Sequence, residues 1–399
     1  MLGQAKKRKG LKKLYNLHAW VGFQLSIIMF VILATGTIAT LSNEIDWLIF
    51  EELRASEKPL NASPMYTPGE WVALYSALQD AYPNGQILDL YSMGEDYLTY
   101  RATLKDTALG NEFVNIDQWT HKITGNVGYL TVQRFFRDFH RYLFMPALPG
   151  IIIVCAFAFV LLISLYTGIK TTKNWRTALW RLRLNQGSRI AVSDAHKLSG
   201  LWGMWFTLLI SVTGIWYLYE FSYQLFDASI EPNGPIIERT NSENNKFNMT
   251  LEEFREIVNI AHGVHKDWEI TAIYLPATTE QPIEINGVKN NPLLRDRAYR
   301  VYLDPTNNTI LEVLSPDLIG INANINEYID PLHFGSFGSI WSKAIWFLFG
   351  LMLTAMSVTG VLMTWKRTKS RALTKPQIST LPILVFSGVV FIFWIQRFA

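Results

Sequence analysis

Apolar residues in this chain are gathered into five long blocks that alternate with polar stretches. A helix needs about 20 apolar residues to cross the roughly 30 Å hydrocarbon core of a bilayer. Four blocks reach or approach this length, and the fifth is shorter and contains Pro382. The pattern therefore predicts a membrane protein with spans at 19–41, 148–169, 198–219, 341–364 and 381–396.

The first block returns in the second half of the chain. HAWVGFQLSIIMFVILATG (18–36) and HKLSGLWGMWFTLLISVTG (196–214) each begin with a histidine, have a glycine four residues later and end in Thr-Gly. On a continuous helix these three positions lie within about 40° of one line, and the far glycine lies about 27 Å along the axis. A face cleared of side chains beside a histidine predicts a site for a large flat ligand. The residues of this predicted face are His18, Gly22 and Gly36 in the first block and His196, Gly200 and Gly214 in the second.

The whole chain has the pattern of a tandem duplication. Each of the first four spans contains a Thr-Gly pair, at 35–36, 167–168, 213–214 and 359–360. Each long polar region begins with a helical pattern, continues into strand-like pieces and ends in a strand, an aspartate and a turn. The predicted fold is an α-helical membrane protein with a four-helix core from the duplication, a fifth C-terminal span and two small α+β domains outside the membrane.

Lysine and arginine predict the orientation. Segments 1–17, 170–197 and 366–375 hold 18 of the 36 Lys and Arg residues but only one acid, Asp194. The positive-inside rule places these segments in the cytoplasm, so the net charge of +3 reflects orientation and gives no argument for nucleic-acid binding. The predicted segments are a basic N-terminus with span one (1–42), a first outside domain (43–139), an outer histidine segment with span two (140–169), a cytoplasmic loop (170–197), span three (198–219), a linker with the second outside domain (220–332), an outer histidine segment with span four (333–365), and a basic loop with span five (366–399).

Four of the seven histidines lie at the entrances of predicted spans. His18 and His196 are on the predicted cytoplasmic side, and His140 and His333 are on the outer side. Zinc normally takes three or four protein ligands, whereas haem iron accepts one histidine on each face of the ring. The sequence therefore predicts two b-type haems, held by His18 with His196 and by His140 with His333, that carry electrons across the membrane. The remaining histidines, His121, His262 and His265, lie in the outside domains. His262 and His265 are spaced i, i+3 at a predicted helix end and could hold a metal, but no third ligand lies nearby, so they are predicted to be solvated surface residues.

The outer histidines do not fit a straight helix. His140 precedes Gly168 by 28 residues and His333 precedes Gly360 by 27, which is about 40 Å at 1.5 Å per residue and exceeds the hydrocarbon thickness. The chain must therefore fold back near the outer surface. Breaks are predicted at Pro146 and Pro149-Gly150 in the first half and at Gly335 and Gly338 in the second.

Basic side chains accompany the histidines. Arg134, Arg137 and Arg141 surround His140, and Lys197 follows His196. Two interpretations stay open. These side chains bind an anion, either the haem propionates or an anionic substrate, or they contact lipid headgroups. The chain has no dinucleotide-binding motif and its cytoplasmic loops are short, so electrons must come from a separate cytoplasmic reductase or from membrane quinol.

These motifs resemble the PepSY-associated transmembrane family of iron-regulated or iron-uptake membrane proteins. The resemblance is carried by LHAWVGF, FHRYLF, DAHKLSGLWG, PLHFGSFG, the four Thr-Gly pairs and the strand endings VNIDQWTHKITG and VYLDPTNNTILE. Family members studied for function act as inner-membrane ferric-siderophore reductases. The resemblance implies that His18, His140, His196 and His333 bind b-type haem, and that the protein reduces an iron chelate outside the cytoplasmic membrane.

Three functions are compatible with these observations. The leading hypothesis is a di-haem transmembrane oxidoreductase that delivers electrons to a ferric siderophore and releases iron as Fe(II). The first alternative is a quinol-linked cytochrome b that feeds a periplasmic acceptor protein. The second is a non-enzymatic scaffold whose PepSY-like domains bind a peptide or a protease, and it predicts a colourless protein.

Overall fold

The computed structural model describes residues 2–60, 67–107, 110–237, 247–265, 267–278 and 280–367, and a few residues between 385 and 392. The helices are α1 (Leu2–Gln24), α2 (Ser26–Thr40), α3 (Ser42–Ile49), α4 (Pro68–Ala81), α5 (Val132–Tyr142), α6 (Ala147–Thr171), α7 (Trp175–Ala178), α8 (Ser188–Trp202), α9 (Met204–Tyr223), α10 (Leu251–Val264), α11 (Ile321–Phe334) and α12 (Ser339–Arg367). The strands are β1 (Gln86–Ser92), β2 (Tyr100–Thr107), β3 (Gly110–Ile116), β4 (Ile123–Asn126), β5 (Glu269–Tyr274), β6 (Ile283–Val288), β7 (Tyr299–Leu303) and β8 (Ile310–Leu314).

Long apolar helices form the membrane-associated part of the protein. Within the described ranges, three helical stretches are long and apolar enough to cross a membrane, at Ala147–Thr171, Met204–Phe226 and Ser336–Thr364. A fourth candidate is the pair Arg8–Gln24 and Ser26–Thr40, which is bent by 69°. Large apolar side chains are exposed on these helices, among them Phe159, Ile163 and Leu348, as expected for surfaces that contact lipid.

The predicted spans agree with these helices in part. The spans predicted at 148–169 and 341–364 lie within α6 and α12, whereas the span predicted at 198–219 begins six residues before α9. The first predicted span, 19–41, is wrong as one helix because α1 and α2 are separated at Leu25 by the bend. The fifth predicted span, 381–396, lies largely outside the described residues.

The two halves of the chain repeat one order of elements. Each half has two consecutive helices (α1–α2 and α8–α9), a helix before four antiparallel strands (α4 and α10), a short helix (α5 and α11) and a long helix (α6 and α12). The long helix of each half packs on the other half, because α6 contacts α9 and α12 contacts α2. The duplication therefore produces one interlocked bundle.

The strands of both halves form a single eight-stranded antiparallel sheet, in the order β4-β3-β2-β1-β5-β6-β7-β8. β1 pairs with β5 at the centre, where Leu90 lies opposite Ile273. α4 and α10 pack together on this sheet, with the rings of Tyr75 and Phe254 stacked at 3.9 Å. The expectation of two separate α+β domains is therefore wrong: the apolar residues of both halves share one core, since each four-stranded piece gains a partner for its central edge.

Local signals in the sequence are confirmed in both halves of the sheet. Thr250 and Glu253, which have the Thr-x-x-Glu spacing of a capping box, form one at the start of α10. Asp117 accepts hydrogen bonds from the backbone N–H groups of Trp119 and Thr120 at 2.7 and 3.1 Å. The equivalent aspartate at 304 accepts one from the N–H of residue 306 at 2.8 Å. Each strand ending turns at its aspartate because the carboxylate replaces backbone acceptors there.

The chain breaks beside both outer histidines, at Pro146 and between Gly335 and Gly338, whereas the break predicted at Pro149-Gly150 is wrong because both residues lie within the first turn of α6. α5 ends at two residues in the left-handed region, Leu143 (φ 53°) and Phe144 (φ 55°), and α6 begins after Pro146. α11 ends at Gly335 (φ 71°), where a Cβ would lie 2.5 Å from the ring of Trp346. The left-handed turn after α5 lets this helix fold back against α6, and at the second break Trp346 of α12 donates a hydrogen bond to the Leu332 carbonyl oxygen of α11 at 3.0 Å.

An ion cluster fastens the sheet to one end of the helices. Lys343, near the start of α12, binds Glu44 of α3 at 2.8 Å and Glu95 of the β1–β2 loop at 2.7 Å. Tyr97 also donates a hydrogen bond to Glu44 at 2.9 Å. This end is called the sheet side below, and the opposite end, with residues 172–187, is called the loop side.

Candidate functional site

The loop-side pair consists of His18 on α1 and His196 on α8. Their ring centres are 6.2 Å apart and their planes are inclined by 74°. His18 Nδ1 lies 3.1 Å from the Ser164 carbonyl oxygen and 3.0 Å from Thr167 Oγ1, both on α6. His196 Nδ1 lies 2.9 Å from Thr359 Oγ1 on α12. The long helix of each half therefore holds the histidine of the same half.

The sheet-side pair consists of His140 on α5 and His333 on α11. Their ring centres are 6.3 Å apart and their planes are inclined by 34°. His140 Nδ1 donates to the Ile32 carbonyl oxygen of α2 at 2.9 Å. His333 Nδ1 lies 2.8 Å from Thr213 Oγ1 of α9. The structure thus brings the four histidines together in the two pairs that the sequence predicted.

Both spacings match two imidazoles that share one metal ion. Imidazoles bonded from opposite sides at about 2.0 Å place their ring centres roughly 6.2 Å apart. The Nδ1 atoms of His18 and His140 face backbone carbonyls, which only accept. Nδ1 therefore carries the proton and Nε2 keeps its lone pair for a metal. Within the described ranges no group of three or more His, Cys, Asp or Glu residues has the arrangement of a metal site. Each pair therefore offers two imidazole nitrogens as donors, a number that haem iron accepts.

A cavity of about 820 Å³ lies beside the loop-side pair and is lined by both of its histidines. The volume falls in the range of about 300 to 1,000 Å³ that is typical of cofactor pockets. A Cβ on Gly22 would meet no atom within 4 Å, so this position opens into free space. Four glycines line the cavity and leave room for a flat ring beside the histidines: Gly22, Gly168, Gly200 and Gly360.

Three basic residues line the same cavity. Lys197 was a predicted site residue, and Lys173 and Arg189 are additional ones that the sequence reasoning missed. Their positive charges suit the carboxylates of a bound cofactor, such as the propionates of haem. The signal was available in the sequence, because all three lie in the basic segment 170–197.

Gly36 and Gly214 lie beside the sheet-side pair, but they do not share one straight helix face with His18 and His196. The bend between α1 and α2 takes Gly36 away from the face of His18, and it lies instead against His140, where a Cβ would be 2.6 Å from Cε1. Helices α8 and α9 are interrupted at Gly203, between His196 and Gly214, and a Cβ on Gly214 would lie 2.9 Å from that of Ala158. These glycines permit close packing of protein groups and do not clear a face along one straight helix.

Every Thr-Gly pair instead contacts a histidine of its own half. The contact is made by the glycine, by the threonine hydroxyl or by both. The sequence reasoning noted the four pairs as repeats but missed this contact, because in every case the two partners are more than 100 residues apart. The pairs at 35–36, 167–168, 213–214 and 359–360 contact His140, His18, His333 and His196 respectively.

Arg134, Arg137 and Arg141 follow one side of α5, the helix of His140. The Arg134 guanidinium lies 4.3 Å from the ring centre of Tyr129, the Arg141 guanidinium lies 5.3 Å from that of Phe221, and Arg137 is exposed. None of the three forms an ion pair with a described residue. The positive charges beside the sheet-side pair are therefore free to meet an anionic ligand.

A charged network behind His333 was not predicted. The ring of Tyr217 packs 5.1 Å from that of His333, and its hydroxyl donates to Asp330 at 2.6 Å. Asp330 binds Arg295 at 2.8 Å, and Arg295 also binds Glu231. The network connects α9, α11 and the β6–β7 loop, so only the tertiary structure assembles it.

The other histidines lie outside the two pairs. His121 binds Glu70 at 2.7 Å. His265 packs against the rings of Trp268 and Tyr299. All three are half-buried, so His262 and His265 are less exposed than the predicted solvated surface positions.

Comparison with known proteins agrees with this architecture. The model of the family described as PepSY-associated TM region matches residues 15–367, which include all four paired histidines and both halves of the sheet. A search of curated proteins finds no match. Because the matched range covers most of the chain, the protein is a membrane protein that belongs to the PepSY-associated TM region family.

Proposed function

We propose that the protein is a di-haem b oxidoreductase of the inner (cytoplasmic) membrane that passes electrons to a ferric chelate in the periplasm. The observation that carries this proposal is that two histidine pairs lie at opposite ends of one helical bundle. The ring centres are 6.2 Å apart in the loop-side pair and 6.3 Å apart in the sheet-side pair. Two such centres in one bundle suit electron transfer through the membrane, because each end faces a different compartment.

The chain's own residues hold and orient the two cofactors. His18 and His196 would hold one haem at the loop side, and His140 and His333 would hold the other at the sheet side. Haem, when bound, supplies an iron centre that changes its oxidation state by one electron. The four cavity glycines leave space for the macrocycle, and Lys173, Arg189 and Lys197 are placed to pair with its propionates.

The orientation follows from the basic segments. The loop side faces the cytoplasm, and the sheet lies in the periplasm. The N-terminus is then cytoplasmic, and the C-terminus is periplasmic after the fifth predicted span. Electrons come from a separate cytoplasmic reductase or from membrane quinol, and lipid surrounds the helices. Nucleic acid is not a partner.

The substrate is iron held by oxygen ligands, as in a ferric siderophore. One electron converts Fe(III) into Fe(II), a softer ion that hard oxygen ligands bind less tightly, so reduction releases the metal. The unpaired positive charges of Arg134, Arg137 and Arg141 lie beside His140 at the sheet side and suit an anionic chelate. The one-electron change at each centre matches the one electron that this reaction needs.

The visible spectrum of the full-length protein in detergent tests the cofactor. We expect two haems per chain by pyridine haemochrome and a reduced α-band typical of six-coordinate b haem. His18→Ala and His333→Ala should each lose one haem. The control His262→Ala should keep both, since His262 lies on α10, outside the two pairs. A colourless protein after expression with ample haem would contradict the proposal and favour a scaffold.

A reoxidation assay tests the substrate. The protein is reduced with dithionite, the excess is removed, and a ferric siderophore is added. We expect the reduced α-band to disappear while an Fe(II) indicator such as ferrozine gains colour. Failure of a panel of hydroxamate, catecholate and citrate chelates to reoxidise the haem would argue against the chelate reductase and for a protein acceptor.

A further inference from the structure

We infer that the hydroxyls of Thr213 and Thr359, and that of Thr167 together with the Ser164 carbonyl oxygen, are positioning groups that fix the ring tautomer and orientation of the paired histidines. The inference rests on the proposed haem function and goes beyond it, because it assigns a task to the threonine of the Thr-Gly pairs. The three hydroxyls lie 3.0, 2.8 and 2.9 Å from a histidine Nδ1. The same contact recurs at both ends of the bundle and in both halves of the chain.

The direction of these hydrogen bonds follows from the other bonds of each hydroxyl. A threonine hydroxyl has one proton and two lone pairs. Thr167 Oγ1 donates to the Ile163 carbonyl at 2.7 Å, and Thr213 Oγ1 donates to the Leu209 carbonyl at 2.9 Å. The hydroxyl of Thr359 has a backbone carbonyl acceptor of its own helix at 3.1 Å. With its proton used in this way, each hydroxyl can only accept from the imidazole.

The imidazole Nδ1 therefore donates and carries the ring proton. Nε2 is left unprotonated, which is the state that binds iron. An acceptor on Nδ1–H also fixes the ring plane and raises the basicity of the ligand, as outer partners of metal-bound histidines do in general. The threonines are thus positioning residues and not ligands themselves.

The fourth Thr-Gly pair provides an internal contrast. Thr35 is buried like Thr167 and Thr213, at 5 % exposure, whereas Thr359 is half-buried. The Thr35 hydroxyl donates to the carbonyls of Val31 and Ile32. His140 uses the Ile32 carbonyl at 2.9 Å and not this hydroxyl. Removal of the Thr35 hydroxyl should therefore leave His140 with its acceptor.

The test compares two isosteric changes at the sheet side, Thr213→Val and Thr35→Val, with Thr213→Ser as the variant that keeps a hydroxyl. Purified holoprotein is titrated with redox mediators while the α-band of each haem is followed, and haem retention is measured by dilution. We expect Thr213→Val to bind the sheet-side haem 10- to 100-fold more weakly, the typical effect of losing such a partner. The midpoint potential of the sheet-side haem should rise, because a less basic His333 would stabilise Fe(III) less.

Thr213→Ser and Thr35→Val should both behave as wild type, and Thr359→Val should shift only the loop-side haem. Equal potentials and equal haem retention in Thr213→Val, Thr359→Val and wild type would overturn the inference but leave the di-haem proposal intact. A wild-type protein without haem would overturn both. If Thr213→Val is not recovered folded, Thr359→Val measured against Thr35→Val decides the question at the loop side.

Discussion

Gly36 is the position where one methyl group should disturb the sheet-side pair most. A Cβ there would lie 2.6 Å from His140 Cε1 and 2.8 Å from Nδ1. Ordinary contact begins at 3.4 Å, so in Gly36→Ala the imidazole must move by about 0.8 Å. The ring is held by its hydrogen bond to Ile32 at 2.9 Å and faces His333 at 6.3 Å. A shift of this size would break the hydrogen bond to Ile32 and displace the His140 ring relative to His333.

The magnitude follows from three terms. Overpacking in a filled site costs about 1 to 3 kcal/mol, and loss of the His140 hydrogen bond costs about 0.5 to 1.5 kcal/mol. Alanine regains up to about 1 kcal/mol over glycine inside a helix. We therefore expect Gly36→Ala to lower the free energy of unfolding by about 1 to 3 kcal/mol. In the matched change Gly22→Ala no atom lies within 4 Å of the new methyl group. This variant should therefore show only the increase in the free energy of unfolding that alanine brings over glycine inside a helix.

The assay has two readouts. Denaturant unfolding of the haem-free protein in detergent reports the stability difference, and the visible spectrum of the holoprotein reports the sheet-side haem. Gly36→Ala should lose that haem or change its α-band, whereas Gly22→Ala should leave it unchanged. If Gly36→Ala were as stable as Gly22→Ala and kept an unaltered sheet-side spectrum, the reasoning about this contact would be wrong.

Three further predictions concern the sheet side. Gly335→Ala should destabilise the protein by about 1 to 3 kcal/mol in denaturant unfolding, because φ is 71° and a Cβ would lie 2.5 Å from Trp346; unchanged stability would refute this. Glu327 is 2 % exposed, and burial raises the pKa of its carboxyl to about 7. The free energy of unfolding of the wild type should therefore fall as pH rises from 4.5 to 7, and that of Glu327→Gln should rise relative to it by up to roughly 3 kcal/mol over that interval. Parallel stability profiles of the two proteins against pH would contradict this prediction. Burial raises the pKa of Asp117, but hydrogen bonds from Ser56 and from the following turn outweigh this effect and lower the pKa below 3.8. The loss of stability in Asp117→Asn, measured by thermal unfolding, should therefore be largest at neutral pH and shrink below pH 3.8. A loss that does not change with pH would contradict this prediction.

The sequence determined the elements and the repeats. Apolar block length predicted α6 and α12 closely, and polar patterning predicted the helices and strands of the outside regions. The capping box at Thr250 and the turn at Asp117 were readable because each depends on contacts within a few residues. The pairing of His18 with His196 also followed from sequence, since a duplicated motif on the same predicted side leaves few other partners.

The tertiary structure decided what depends on distant segments. The merger of two four-stranded pieces through β1 and β5 buries both central edges, and alternation within a strand does not reveal its neighbour. The bend at Leu25 removed Gly36 from the face of His18, because a local break changes the direction of everything that follows. The hydroxyl of Thr213 and the ring of His333 are 120 residues apart, so their contact exists only in the folded chain. Composition and period fixed which helices form, and packing between the two halves decided which threonine and which glycine each histidine meets.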